Sequence, residues 1–81
     1  MNTAYTDRKE EKVLGHTIKV MRKKRHLTQE ELSGLSGIGV PYISNIETGK
    51  ANPTLKVVRS LAEAFDTPLS ELFSDLEKNN D

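Results

Sequence analysis

Apolar residues recur at three- and four-residue intervals through most of the chain, which is the spacing of an amphipathic helix. Leu14, Ile18 and Met21 form one such stripe near the start. No segment alternates apolar and polar residues in the way that predicts a strand. The pattern predicts an all-α protein of five helices; the later four carry Leu32 and Leu35, then Ile43 and Ile46, then Leu55, Val58, Leu61, Ala62 and Phe65, and finally Leu69, Leu72, Phe73 and Leu76.

Capping and turn residues mark where these helices begin and end. Asp7 followed three residues later by Glu10 has the spacing of a capping box, and so does the clearer pair Thr28 and Glu31. Gly37 is suited to the left-handed conformation that reverses the chain after the second helix. The remaining signals are Gly39 as N-cap of the third helix with Pro41 in its first turn, Gly49 as its stop, Thr54 as cap of the fourth helix, and Thr67 with Pro68 at the start of the fifth.

These elements predict one domain over residues 7–76, between a flexible arm over residues 1–6 and a frayed tail over residues 77–81. With 81 residues, the chain has room for a single modest core. It contains no cysteine, so a reducing, cytoplasmic setting is expected. No apolar run approaches the ~18 residues that span a bilayer, and no secretory signal is visible, so no membrane partner is expected.

The net charge of zero conceals a strong asymmetry along the chain. Residues 8–25 hold eight basic groups against two acids, whereas residues 60–81 hold six acids against one base. One end would attract a polyanion and the other would repel it, although two solvated helix faces of opposite sign would give the same counts. Charge therefore permits nucleic-acid binding without establishing it.

The residues that enzymes use are poorly represented. His16 and His26 are isolated and have no neighbouring ligand pattern for a metal. Glu30 and Glu31 are explained by helix capping and the helix dipole. No glycine-rich phosphate loop follows a strand. We expect a protein that is not an enzyme and uses neither a cofactor nor a metal.

Three segments together resemble a known family: "LGHTIKVMRKKRHLTQEEL", "GIGVPYISNIETGKANPT" and "LAEAFDTPLSELF". The Thr-Gln-x-x-Leu opening, the Ile-x-x-Ile-Glu-x-Gly close and the following Pro-Thr match the Cro/C1-type (XRE-like) helix-turn-helix family of phage and bacterial transcription regulators. The resemblance covers about residues 14–73. It implies a compact, lambda-repressor-like five-helix domain whose third helix, about residues 39–47, lies in the major groove of double-stranded DNA.

The resemblance also assigns roles to individual residues. A major groove about 12 Å wide admits a helix, and there asparagine can bond adenine while apolar groups meet thymine methyls. For Val40, packing within the turn is an equal alternative, whereas base contact is favoured for Asn45. The expected base readers are Val40, Pro41, Tyr42, Ser44 and Asn45, and the expected phosphate contacts are Gln29, Thr48, Lys50, Asn52 and Thr54.

Two further residues are expected to be structural. Arg22 and Glu47 match a family pair that ties the first helix to the end of the third, because a guanidinium can hold a carboxylate bidentately. His26 departs from the family pattern, since it stands where glycine is usual and where a positive φ is expected. Leu35 also departs from it, at a position that is usually polar, and is expected to be exposed or to touch a partner.

The resemblance implies a homodimer, which allows two third helices to enter successive major grooves. The candidate interface is Leu69, Leu72, Phe73 and Leu76, with the first two expected mostly inward and the last two mostly towards the partner. The predicted function is a sequence-specific regulator of transcription on a roughly palindromic operator. The alternative is a protein-interaction module with the same fold, and RNA polymerase or a cognate toxin is a further candidate partner. Phage repressor, restriction–modification controller and antitoxin stay open as roles.

Overall fold

The computed structural model describes residues 8–78, and that part of the chain contains five α-helices and no strand. The predicted all-α class and the number of helices are confirmed. The helices are α1 (Lys9–Lys24), α2 (Gln29–Ser36), α3 (Val40–Glu47), α4 (Leu55–Ala64) and α5 (Leu69–Lys78).

The start of α1 differs from the prediction. The residue before the helix is Arg8, with a left-handed φ of 53° and no capping hydrogen bond from its side chain. Arg8 therefore holds the N-cap position, and the predicted capping box of Asp7 and Glu10 falls partly outside the described residues. Asp7 itself, the expected arm over residues 1–6 and residues 79–81 lie outside the described residues. At the other end, α5 extends to Lys78, two residues past the expected end of the domain.

The start of α2 is as predicted. The Thr28 hydroxyl oxygen accepts a hydrogen bond from the Glu31 amide at 3.0 Å, and a Glu31 carboxylate oxygen accepts one from the Thr28 amide at 2.8 Å. This is the reciprocal capping box. Gly37 then ends the helix with a φ of 77°.

The later helix ends follow the same signals. Gly39 is the N-cap of α3, whose first turn contains a proline, and Gly49 follows that helix with a φ of 77°. The Thr54 hydroxyl accepts a hydrogen bond from the Val57 amide at 3.2 Å and caps α4. The last helix starts directly after Pro68, one residue later than expected.

Two non-glycine residues follow helices in the left-handed region. His26 has a φ of 57° and follows α1, and Asp66 has a φ of 53° and follows α4. The His26 amide donates to the carbonyl of Lys23 at 3.0 Å, as a helix-ending turn requires. The positive φ expected at His26 is therefore present, and it costs a residue with a Cβ on the order of 1–2 kcal/mol.

All five helices contribute to one core. The helix α1 packs against α3 and α5, and α2 packs against α3 and α4, so α3 is supported on its inner side by two helices. At Gly15 the backbone of α1 lies directly on the end of α3, because a Cβ there would clash with the backbone of Ile46 and Glu47. The buried apolar residues are Leu14, Ile18, Leu32, Ile43, Ile46, Val58, Leu61, Ala62, Phe65 and Leu72.

Candidate nucleic-acid interface

The inward side of α3 fixes which side chains point away from the core. Ile43 and Ile46 are buried, and between them Asn45 is exposed. Pro41 is also exposed, in the first turn. Two of the five predicted base readers are therefore exposed at the surface, where they can meet a ligand.

The other three predicted base readers are half-buried. The Tyr42 ring packs against the core, so only part of that side chain reaches the outer surface. Val40 and Ser44 have intermediate exposure, and the Ser44 carbonyl accepts a hydrogen bond from the Thr48 hydroxyl at 2.9 Å. The exposed face of α3 is thus formed mainly by Pro41 and Asn45, and the other predicted base readers contribute to it only in part.

The end of α3 is held by a buried charge pair. Arg22 Nε donates to one Glu47 carboxylate oxygen at 2.7 Å and Arg22 Nη2 donates to the other at 3.0 Å, which makes the pair bidentate. Arg22 Nη1 donates to the carbonyl of Leu27 at 2.7 Å, in the turn before α2. The hydrogen bond with Glu47 raises the pKa of Arg22 above its ordinary value. The pair joins α1 to the end of α3 and to the start of α2.

Gln29 belongs to the same network. Its side-chain amide donates to a Glu47 carboxylate oxygen at 3.1 Å, and its side chain is half-buried. Sequence reasoning assigned this residue to a phosphate but did not find this bond. A glutamine amide carries two N–H donors and one acceptor. The bond to Glu47 uses one donor, so the second N–H and the carbonyl oxygen of Gln29 remain available for hydrogen bonds at the start of α2.

The segment from Thr48 to Thr54 follows α3 and carries the other predicted phosphate residues. Thr48 and Thr54 both serve helix ends, since their hydroxyls bond to Ser44 and Val57. Lys50 and Asn52 are exposed, and the Lys50 amide donates to the carbonyl of Asn45 at 2.8 Å, which fixes the start of the loop to α3. The cation of Lys50 and the amide of Asn52 therefore lie at the surface, in the loop that directly follows α3.

Arg8 is a neighbour of this loop that the sequence reasoning did not identify. Its Nη1 donates to the carbonyl of Lys50 at 2.8 Å, across 42 positions of sequence. Arg8 precedes the first helix, so no helical periodicity indicated a contact with the loop.

The predicted dimer interface divides into two parts. Leu72 is 0% exposed within one copy of the chain, which agrees with its expected inward position and leaves it no surface for a partner. Leu69 is half-buried and packs against the core. Phe73 and Leu76 are half-buried and line an open groove. The other lining residues are Glu10, Glu11, Leu14, Asn52, Pro53, Leu55 and Val58.

Leu55, at the edge of that groove, is 58% exposed although its helical spacing indicated an inward position. On α2, Leu35 is 60% exposed, in agreement with its unusual place in the family pattern. These two are the large apolar side chains that stand out at the surface of the described residues.

Over residues 8–78, no cluster of three or more histidine or acidic side chains is placed to hold a metal ion. No helix in the same range is long and apolar enough to cross a membrane.

Residues 18–72 match the model of the helix-turn-helix family HTH_3. That is more than half of the chain, so the protein belongs to this family, and its relatives include proteins named as an HTH-type transcriptional regulator and a transcriptional repressor. The short helices α2 and α3, joined by the turn at Gly37, are its helix-turn-helix.

Among individual relatives, the control protein C.MunI of Mycoplasma sp is 38% identical over 65 residues, which cover 79% of this chain and 88% of that protein. The transcriptional repressor RstR of the cryptic phage CTXphi, from Vibrio cholerae, is 38% identical over 64 residues, 79% of this chain and 58% of that protein. The regulator DdrOP3 of Deinococcus deserti is 32% identical over 60 residues, 74% of this chain. The matched region spans about half of DdrOP3, at 46% of its length.

A solved structure agrees with the fold. The restriction-modification controller protein C.AhdI from Aeromonas hydrophila superposes with a TM-score of 0.77 at 33% identity, covering 79% of this chain and 97% of that one.

Proposed function

We propose that the protein binds double-stranded DNA sequence-specifically as a homodimer and regulates transcription, with α3 in the major groove of each half of a roughly palindromic operator. The main observation in favour of this proposal is that the core holds α3 in a fixed position. Two buried isoleucines and the Arg22–Glu47 pair fix its inner side and its end, while Asn45 and Pro41 face solvent. A rigid helix with an exposed reading face is what insertion into a groove about 12 Å wide requires.

Asn45 is the residue proposed to carry most of the sequence preference. Its amide can bond adenine at N6 and N7 at the same time, and such a bidentate contact discriminates against other bases by about 1–3 kcal/mol. Pro41, Val40 and Tyr42 give the first turn of α3 an apolar surface suited to thymine methyl groups. Ser44, which is half-buried, would approach a base edge from the side of the helix.

Phosphate contacts are assigned to both sides of α3. Lys50 and Asn52 stand exposed in the loop beyond the helix. Thr48, Thr54 and Gln29 are proposed to add hydrogen bonds next to their structural ones, and the start of α2 adds backbone amides and a favourable dipole. Contacts of this kind set the position of the protein on DNA and supply affinity that depends on salt.

The proposed dimer uses the groove between α5, the start of α4 and the start of α1. Phe73 and Leu76 line it, Leu69 lies on the same helix, and Leu55 projects at its edge. A symmetric dimer through this surface would present two copies of α3, to be matched to half-sites one helical turn, or about 34–36 Å, apart. The other proposed partners, RNA polymerase and a cognate toxin, rest on the family resemblance alone.

A salt titration of duplex binding tests whether DNA is the ligand. Neutralised phosphates release counterions, so the logarithm of the association constant should fall linearly with the logarithm of salt concentration, with a slope of about −0.9 per phosphate contact. The proposal predicts a steep slope for a fluorescent duplex measured by anisotropy. No binding to any duplex at low salt would contradict it. That result would favour the protein-interaction module, with the exposed Leu35 as the first surface to examine.

A further inference from the structure

One side of α1 carries a regular set of residues that the proposed reading helix does not use. Lys12, Gly15 and Lys19 follow each other at intervals of three and four positions, and Arg8 precedes the helix, four positions before Lys12. In an α-helix, positions at these intervals lie on one side, one above the other. We name the three exposed cations of this set, Arg8, Lys12 and Lys19, the α1 basic stripe.

Contacts show which part of the molecule this side of α1 faces. Gly15 lies against the backbone of Ile46 and Glu47, at the end of α3. A Cβ added at Gly49 would lie 2.7 Å from Cγ of Lys12, so that lysine runs along the turn after α3. Arg8 reaches furthest and bonds the Lys50 carbonyl at 2.8 Å. The stripe therefore borders the end of α3 and the loop that follows it.

The two acidic residues of α1 border the groove beside α5. Glu10 and Glu11 line it together with Leu14 and Phe73, and Glu11 also stands one turn before Gly15. The next position along the stripe is Arg22, whose charge is matched by Glu47. The stripe therefore adds three exposed cations to the surface that borders the loop at Lys50.

We infer that the α1 basic stripe binds phosphates of the DNA strand that borders the major groove holding α3, beyond the phosphates reached by the loop after α3. The inference rests on the proposed function and extends its contact surface to a second element. Gly15 lets the backbone of α1 approach the end of α3 without an intervening side chain. A DNA strand that runs past the end of α3 therefore also runs past α1. Only one of the five guanidinium N–H donors of Arg8 is needed for the bond to Lys50, and that bond orders the side chain before DNA arrives.

A pair of charge-matched double variants tests the inference. Lys12→Gln/Lys19→Gln removes two stripe cations, and Lys56→Gln/Arg59→Gln removes two exposed cations from α4. Binding to one duplex is measured over a series of salt concentrations. If each stripe lysine contacts one phosphate, the α1 variant should lose about 1.8 from the salt slope, at about 0.9 per contact. The α4 variant should keep the wild-type slope.

Phosphate ethylation interference shows which DNA phosphates the protein contacts. Ethylation of the phosphates flanking the half-site should weaken binding of the wild type but have no effect on the α1 double variant. Arg8→Gln should remove interference at the phosphates nearest the loop contacts. Selection of bases should be unchanged in all three variants, because phosphate contacts carry no sequence information directly.

The outcomes separate this inference from the proposed function. An α1 variant with the wild-type slope and interference pattern would overturn the inference while leaving DNA binding by α3 in place. Equal slope losses in the α1 and α4 variants would also overturn it, since they would indicate a diffuse charge effect. A wild-type protein that binds no duplex would overturn both.

Discussion

Gly15 and Gly34 lie in helical segments and differ in what surrounds them. A side chain at Gly15 would meet the backbone of α3, whereas a Cβ at Gly34 would meet nothing within 4 Å. Helical periodicity placed both glycines on helices but could not tell them apart, because the difference depends on a neighbouring helix. The Arg22–Glu47 pair was expected from the family pattern, but the bond of Gln29 to Glu47 was not. Which of several polar partners a side chain takes depends on the packed arrangement of three helices.

The two glycines make a matched pair of substitutions. Gly15→Ala should destabilise the fold by about 1–3 kcal/mol, because the methyl group forces α1 away from α3. Gly34→Ala should stabilise it by up to about 1 kcal/mol, because α2 gains a better helix former at an exposed site. Urea unfolding followed by circular dichroism measures both, and a destabilisation of equal size in the two variants would contradict the packing described for Gly15.

The buried pair is tested by a double-mutant cycle. Arg22→Met alone leaves the Glu47 carboxylate buried with Gln29 as its remaining side-chain donor, and should cost about 3–5 kcal/mol. The double variant Arg22→Met/Glu47→Leu should recover most of that loss, since no unpaired charge remains inside. A double variant whose free energy of unfolding falls by the sum of the two single losses would show that the residues do not act as a pair.

The positions where the helices begin and end could largely be predicted from single residues. Thr28 with Glu31, Gly37 and Thr54 each act locally, within one turn, so their roles depend little on the rest of the fold. The start of α1 was not readable in the same way: Asp7 and Glu10 have the right spacing, yet Arg8 precedes the helix and bonds the distant Lys50. A tertiary contact of this kind leaves no trace in local sequence patterns.

His26→Gly tests the end of α1. Glycine adopts a positive φ without a Cβ penalty, so the variant should be more stable by about 0.5–1 kcal/mol, after the extra entropy of its unfolded chain is subtracted. His26→Ala keeps the Cβ and should show no such gain. Thermal unfolding of both variants against wild type provides the comparison, and a glycine variant no more stable than the alanine one would contradict the strain assigned to this turn.

At the scale of the whole molecule, the stripe on α5 combines two surfaces. The sequence predicted that Leu69 and Leu72 lie mostly inward and that Phe73 and Leu76 lie mostly towards a partner. The fold assigns Leu72 to the core and leaves Phe73 and Leu76 at the groove beside Leu55. The exposure of Leu55 depends on how α4 and α5 cross, which no single helix encodes.

The proposed dimer predicts different effects for the two most exposed leucines. Leu55→Glu should shift the protein to a monomer at micromolar concentration, because it places a charge at the edge of the groove. The new side chain lies in the first turn of α4, where an acid is favoured by the helix dipole, so the fold should persist. Leu35→Glu, on α2, should leave the dimer intact.

Sedimentation velocity measures whether the wild type and each leucine variant are monomers or dimers. A monomeric wild type, or equal dissociation in both leucine variants, would contradict a dimer through the groove.

Selection of bound duplexes from a random double-stranded pool, run in parallel for wild type and Asn45→Ala, tests whether α3 reads bases. A dimer that reads bases through α3 should enrich an inverted repeat with half-sites about 10–10.5 base pairs apart, centre to centre, and the variant should show relaxed preference at one base of each half-site. Enrichment of no sequence by the wild type, or an identical motif for both proteins, would contradict base reading through α3 and Asn45.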